Sequence, residues 1–377
     1  MRLLTGTCLI LAYSLRCLGG DGPRDVTAVL APIRAKHDLP AMAGTIVTSA
    51  GLEAIGADGV RERGRPETVT VEDQWHLGSC TKSMTATLCA MLVEDGKLSF
   101  DTTIGQVFGD VKDMDPAWKD VTLRQLLTHH AGAPADMSAD GLWGRLWAHT
   151  GTPTAARRLL VEGVLKRPPE AKPGTKYIYS NAGFSIAGAM AETVTNEPWE
   201  FLMGKRLFGP LGMTSAGFGA PGTKSALDEP RGHSAAGKPV EPGPGADNPV
   251  AIGPAGIVHC TIGDWAKYVQ LHLVGEKRES ARLLKPGSFV TLHTPVADES
   301  NYAMGWIVGQ RPWAGGRVLT HNGSNTMWYC VTWIAPEKDF AVLVTCNQGG
   351  DAAAKACDEA SAALIGDHFA HAKAATK

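Results

Sequence analysis

No Cys-x-x-Cys pair occurs in the 377 residues, so a zinc ribbon or thioredoxin-like chemistry has no support. Cys8 and Cys17 lie near the N-terminus; the other six are Cys80, Cys89, Cys260, Cys330, Cys346 and Cys357. Several of these sit in apolar runs and read as buried thiols. In an exported protein a pair of them could oxidise, but their spacing does not say which. Charge of either sign is also not in surplus. Lys and Arg number 36 against 38 Asp and Glu, a net charge of −2. That leaves no broad basic field to hold nucleic acid or an anionic membrane. Beyond the N-terminus no apolar run approaches the roughly 20 residues a membrane helix needs. There is no internal repeat, and only 370–377 is low in complexity.

The N-terminus does carry a pattern. Arg2 is followed by an apolar run over 3–15 and then by Cys17-Leu18-Gly19-Gly20. A positive start, a short apolar core and a small-residue exit make a signal peptide over 1–20. A secreted or periplasmic protein is expected, with no stable membrane insertion once the leader is removed. Arg16 directly before Cys17 argues against lipid attachment at that cysteine.

Along the chain, a short amphipathic helix is expected over 24–38, strained by Pro32, and then two strands over 44–48 and 52–61. Helices follow over 81–95, 121–127, 152–164, 181–192 and 197–208. The Gly- and Pro-rich stretch 217–253 reads as surface loop. A helix is expected over 261–273, strands over 304–308, 318–320, 328–334 and 340–345, and an Ala-rich closing helix over 351–371. Strands at both ends with helices between them suggest one sheet built from the two termini. The expected architecture is an α/β sandwich lobe from 21–78 and 251–377, an antiparallel sheet flanked by helices. An all-helical insertion lobe would span 79–250.

Chemistry enters at Ser79-Cys80-Thr81-Lys82. Ser79 is the only serine with lysine three residues on, although a two-residue pattern of this kind occurs about once by chance in such a chain. Its position gives it weight. Met84, Leu88, Met91 and Leu92 mark a helix beginning just after Ser79. A hydroxyl and an amine then stand one turn apart, where backbone N–H groups are unpaired and the helix dipole is positive. Acyl transfer needs such a nucleophile, a base and donors for an oxyanion.

Two further stretches could complete a site. Tyr179-Ser180-Asn181 places a phenol and an amide at the bend before a helix, able to relay a proton and to hold a carbonyl oxygen. His321-Asn322-Gly323 follows a strand and precedes Ser324; a glycine at a strand edge admits close backbone approach. His-x-Gly alone is weak, because His76 and His130 also begin one, and context selects His321. Three decoys fall away. Gly217 to Gly222 fits a dinucleotide fingerprint but follows no expected strand and opens no helix. Gly183-Phe184-Ser185 nearly fits a nucleophile elbow, but Ser185 falls inside a helix. His129-His130 has no carboxylate partners at metal-ligand spacing.

Ser-x-x-Lys, Tyr-x-Asn and His-x-Gly in that order resemble the serine β-lactamase and penicillin-binding-protein superfamily. The branch most resembled is that of class C β-lactamases, esterases and D-stereospecific peptidases. Residues 91–98, 126–132 and 210–213 add to the likeness, which covers nearly all the chain beyond the leader. The resemblance implies an α/β lobe beside a helical lobe, with the site between them. It implies Ser79 as nucleophile, Lys82 as its proton acceptor or partner, Tyr179 as acid and base, and Asn181 orienting the substrate. Backbone N–H groups of Ser79 and Ser324 would form the oxyanion hole, beside His321 and Gly323. No metal and no organic cofactor is implied. One departure matters. Lactamases of this branch usually carry Lys-Thr-Gly where this chain has His-Asn-Gly, and histidine there is more familiar among peptidases and esterases. The expected activity is a serine hydrolase working through an acyl-enzyme on a small ester, amide or peptide, with no nucleic-acid partner. A class C-type β-lactamase and a non-catalytic penicillin-binding sensor are the alternatives. An unrelated two-lobed binding protein would require all three motifs to be accidental.

Overall fold

The computed structural model describes residues 22–277, 283–296 and 300–375. The leader assigned to 1–20 lies outside them.

In chain order the strands are β1 (Arg24–Asp25), β2 (Ala41–Thr48), β3 (Gly51–Gly59), β4 (Gln74–His76), β5 (Gly217–Phe218) and β6 (Gly232–His233). They continue with β7 (Pro239–Val240), β8 (Val258–Thr261), β9 (Ile307–Arg311), β10 (Gly316–Ser324), β11 (Tyr329–Ala335) and β12 (Phe340–Cys346). Seven of them form one sheet in the order β1-β3-β2-β12-β11-β10-β9, antiparallel throughout except for the short β1–β3 pair. The sheet joins the two ends of the chain, as their β-rich patterns suggest. Its centre, β12, is buried at every residue, because both faces of the sheet are covered.

Alternation along β12 divides the core in two. Phe340, Val342, Val344 and Cys346 pack with Leu30 and Ile33 of helix Thr27–Lys36 and with Ala353, Ala356, Ala360 and Leu364 of helix Asp351–Ala375. Ala341 and Leu343 belong to the other core, with helices Thr81–Glu94 and Ile262–Val274. Close packing shows at Gly44, where an added Cβ would sit 3.0 Å from both Leu30 and Leu364.

Between 81 and 211 the described residues form helices and turns, with a single isolated bridge between Thr103 and Thr122, but β5, β6 and β7 also fall within 79–250, so that stretch is not the all-helical lobe expected. The longer helices are Thr81–Glu94, Pro153–Leu165 and Asn181–Thr195.

Four local expectations need correcting. The strand expected over 304–308 is β9, which starts at Ile307. Gly305 turns the chain at φ 80° and lies so close to the central helix that a Cβ would sit 2.5 Å from the Ser83 Cα. The apolar signal of Met304 and Trp306 therefore reports burial in a loop. The helix expected over 197–208 is divided into Trp199–Met203 and a wider turn over Gly204–Phe208. Helix Pro286–Leu292 has no counterpart in the sequence reading. Finally, 217–253 is less superficial than its Gly and Pro content suggests, because Arg231, His233, Ala246, Asp247 and Ile252 are buried.

A second sheet, β4-β8-β5, was also not expected. It matters for the site. Leu77 N–H donates to the Val258 carbonyl at 2.8 Å, continuing the β4–β8 pairing to within two residues of Ser79.

Candidate active site

Ser79 sits in the tight turn Gly78–Cys80 that leads from β4 into helix Thr81–Glu94. Gly78 adopts φ 46°, a conformation L side chains rarely take, and a Cβ there would lie 2.3 Å from the Ser324 nitrogen. Gly323, at the end of β10, approaches from the opposite side. A Cβ on it would lie 2.0 Å from the Leu77 carbonyl oxygen and 2.8 Å from the Ser79 nitrogen. Two glycines thus bring the β10 terminus, with its Ser324 N–H, against the Ser79 turn. The Ser324 side chain is turned elsewhere, its hydroxyl donating to the Trp328 carbonyl at 2.6 Å.

Lys82 is fully buried, while Ser79 keeps partial exposure. The Lys82 Nζ lies 3.0 Å from Ser79 Oγ, 2.7 Å from Asn181 Oδ1 and 2.8 Å from the Ala255 carbonyl oxygen. Burial lowers the amine from its ordinary 10.5 to about 7, partly offset by the neighbouring Cys80. Half the population is therefore neutral near physiological pH. A neutral amine has two N–H donors and one lone pair. Asn181 and Ala255 present oxygens that can only accept, so both N–H bonds go there and the lone pair is left for the Ser79 O–H. The three neighbours of Lys82 thus fix the direction of the serine–lysine hydrogen bond.

Tyr179 and Asn181 flank Ser180, the cap of helix Asn181–Thr195. The Ser180 Oγ accepts from Gly183 N–H at 3.1 Å and donates to the Pro134 carbonyl at 2.6 Å. Tyr179 exposes 36% of its surface, so a bound molecule can reach it, and its ring centroid lies 4.7 Å from the Lys82 Nζ. Packing around its hydroxyl raises the phenol above the ordinary 10, partly offset by Ser79. It is a neutral proton donor at physiological pH.

Sequence reading missed three groups. His129, dismissed as a metal ligand, supports the Tyr179 bend. Its backbone takes φ 61°, its Nδ1 accepts from Ser180 N–H at 3.1 Å, and its ring lies 4.4 Å from that of Tyr179 and 4.7 Å from that of Tyr302. Burial, then the nearby Lys82, drives it well below 6.5, so the imidazole is neutral. Tyr302, the second, reaches His321. The third is the Ala255 carbonyl, a backbone atom with no side-chain signature.

His321 is 2% exposed. Its Nδ1 lies 2.5 Å from the Asn322 carbonyl oxygen, which can only accept, so the ring hydrogen is on Nδ1. Nε2 then accepts from the Tyr302 hydroxyl at 3.0 Å. Both nitrogens are occupied within the protein. Asn322 is exposed, its amide donating to the Tyr329 hydroxyl at 2.8 Å.

All six cysteines among the described residues are free thiols. Cys80 lies 3.6 Å from Cys330, and Cys346 lies 3.7 Å from Cys357. Ser185 lies inside helix Asn181–Thr195, its hydroxyl donating to the Asn181 carbonyl, so it is no nucleophile elbow. No group of three or more His, Cys, Asp or Glu side chains among the described residues is placed to hold a metal ion. No helix among them is long and apolar enough to cross a membrane.

A mixed α/β protein with a serine–lysine pair at a helix start, faced by Tyr-x-Asn and by a strand end, is defined on structural grounds alone. The chain belongs to the Beta-lactamase family, whose profile matches residues 26–366. It is 27% identical over 328 residues to penicillin-binding protein 4 of Amycolatopsis lactamdurans, covering 84% of this chain and 83% of that one. It is 26% identical over 307 residues to the unguisins hydrolase ungD' of Aspergillus campestris, covering 74% of this chain but only 53% of that protein. The chain thus spans about half the length of that hydrolase. Among solved structures, the octameric penicillin-binding protein homologue from Pyrococcus abyssi superposes with a TM-score of 0.71. Its sequence identity is 24%, over 90% of this chain and 76% of that one, a likeness of fold.

Proposed function

We propose that the chain is a serine hydrolase that forms an acyl-enzyme on Ser79, acting on esters or on D-amino-acid amides and peptides. The observation that carries this reading is the Lys82 amine, lowered to about 7 and held 3.0 Å from Ser79 Oγ by two acceptors that leave its lone pair for the hydroxyl.

The steps follow from that geometry. Ser79 Oγ attacks the carbonyl carbon and its proton passes to Lys82 Nζ. The oxyanion is stabilised by the Ser79 and Ser324 N–H groups, which Gly78 and Gly323 bring together. The tetrahedral adduct collapses, breaking the bond to the leaving oxygen or nitrogen. Tyr179 protonates that atom, and the proton is restored from the Lys82 ammonium. Water then attacks the acyl carbon, with the proton transfers reversed, and releases Ser79. Asn181 is tied to Lys82 through Oδ1 and can donate its amide N–H to the substrate.

His321 favours neutral substrates in this scheme. With both nitrogens engaged within the protein, it has no free N–H to offer a carboxylate such as that of a β-lactam. The class C-type β-lactamase is therefore the second reading. A binder without turnover is disfavoured because the arrangement also supplies the base that deacylation requires. Export through the 1–20 leader rests on its sequence pattern.

A panel of p-nitrophenyl butyrate, a D-alanyl amide and the cephalosporin nitrocefin tests the reading. The expected result is a kcat/KM for the ester or amide above that for nitrocefin. A preference for nitrocefin at neutral pH would replace this reading with the lactamase one, and stoichiometric acylation by nitrocefin without turnover of any of the three would favour the sensor.

A further inference from the structure

Aromatic side chains around Tyr179 take no part in the proton transfers between Ser79, Lys82 and Tyr179. Tyr177 is one of them. It exposes 36% of its surface, as Tyr179 does, whereas Tyr268 and Tyr302 are buried. An exposed ring is apolar surface that a bound molecule can remove from water.

The ring is held in place. His129 fixes the segment that carries it, its carbonyl accepting from Ile178 N–H at 2.8 Å and its Nδ1 from Ser180 N–H at 3.1 Å. The Tyr177 ring centroid lies 5.6 Å from that of His129, 5.9 Å from that of His130 and 5.7 Å from that of Tyr302. The Tyr179 ring lies 4.4 Å from the same His129 and 6.5 Å from the same Tyr302. Tyr177 and Tyr179 therefore share two buried ring neighbours and present their free faces on one aromatic surface. Burial is the main cause of the raised Tyr179 phenol, and the Tyr177 phenol is near enough to add to it. Burial also pushes the Tyr177 phenol up to about 12, so the platform is uncharged at physiological pH. A neutral ring already held by its neighbours gives up little conformational freedom on binding.

Which half of a substrate meets this ring follows from the role of Tyr179. The carbonyl carbon bears the acyl half and is held at Ser79 by the Ser79 and Ser324 N–H groups. The leaving oxygen or nitrogen faces the Tyr179 hydroxyl, which protonates it. The substituent on that atom starts beside Tyr179, and Tyr177 is the neighbouring exposed ring.

We infer that Tyr177 is a specificity-determining residue for the leaving group, selecting esters and amides whose alcohol or amine half carries an aromatic ring. This selection rests on the acyl-enzyme reading, with Tyr179 as the acid.

Steady-state kinetics of the full chain with benzyl butyrate, methyl butyrate and methyl phenylacetate test it. The first two share an acyl group, and the third carries its ring on the acyl half. Wild type should show a kcat/KM for benzyl butyrate at least about tenfold above that for methyl butyrate. Tyr177→Ala should lower the benzyl butyrate value by about five- to tenfold and change the other two by less than about twofold. Tyr177→Phe keeps the ring and should retain the benzyl preference within about twofold. An equal fall for all three esters in Tyr177→Ala would show that Tyr177 only supports Tyr179, and would overturn the selection. So would a fall confined to methyl phenylacetate, a benzyl preference that is absent from wild type or survives Tyr177→Ala, or its loss in Tyr177→Phe. Each of these leaves the acyl-enzyme reading standing, because the esters are still turned over. If wild type turns over none of the three and Ser79 takes no fluorophosphonate adduct, the acyl-enzyme reading fails and the selection fails with it.

Discussion

The Tyr302 hydroxyl donates to His321 Nε2 over 3.0 Å, while His321 Nδ1 donates to the carbonyl of its own neighbour, Asn322. The imidazole is thereby spent on the protein and carries no free donor toward a substrate anion. Selectivity should follow. His321→Lys should shift the kcat/KM ratio of nitrocefin over p-nitrophenyl butyrate upward by about 5–30-fold, corresponding to roughly 1–2 kcal/mol of new carboxylate contact. An unchanged ratio in a folded His321→Lys protein would remove His321 from the account of specificity.

The Lys82 amine gives the pH dependence its sign. Its value in the folded protein is about 7, so the ammonium dominates below that and cannot accept the Ser79 proton. kcat/KM should rise with pH and level off above about 8. Lys82→Arg should be inactive across the range, because a guanidinium keeps its proton. A variant retaining most activity would show that another group is the base.

Removing the hydroxyl tests the nucleophile. Ser79→Ala should lower kcat by about 10⁴–10⁶, the scale found for catalytic nucleophiles. Its thermal midpoint should stay near that of wild type, since Ser79 is only partly buried. A loss below about tenfold would contradict the assignment.

The close approach at β10 predicts a backbone effect. Gly323→Ala would place a methyl group 2.0 Å from the Leu77 carbonyl oxygen. The β10 terminus and the Ser79 turn must then separate. Stability should fall by about 1–3 kcal/mol, read from denaturant unfolding, and kcat should fall by more than about tenfold in the folded fraction. Loss of stability with kcat unchanged would show that the spacing of the Ser79 and Ser324 N–H groups does not matter for turnover.

The parts of this structure legible in the sequence are those governed by local pattern. The apolar spacing of Met84, Leu88, Met91 and Leu92 marks the central helix, which runs from Thr81 to Glu94. The continuous apolar run at Phe340–Val344 marks the middle strand, which extends to Cys346. Ser79, Lys82 and Asn181, scattered over about a hundred residues of sequence, do meet at hydrogen-bond distance. What could not be read depends on contacts between distant segments. Sheet β4-β8-β5 uses strands of two to four residues, too short for a period-two signal. The Ala255 carbonyl acts through its backbone, so side-chain identity does not announce it. Metal-ligand spacing gives His129 no role, whereas its left-handed backbone and the Ser180 N–H its Nδ1 accepts do. Tyr302 meets His321 from a segment 19 residues away in sequence, a contact that no local pattern announces.

The central claim is that a neutral Lys82 activates Ser79, and the pH dependence of covalent labelling tests it most directly. The full chain is treated with a fluorophosphonate between about pH 5.5 and 8.5, and the adduct is mapped by mass spectrometry. The account predicts a single adduct on Ser79 whose formation rate rises with a midpoint near 7, the value to which burial lowers Lys82, and which Lys82→Arg abolishes. An adduct on Ser185 or any other residue, or a Ser79 labelling rate that is flat across that range, would contradict it.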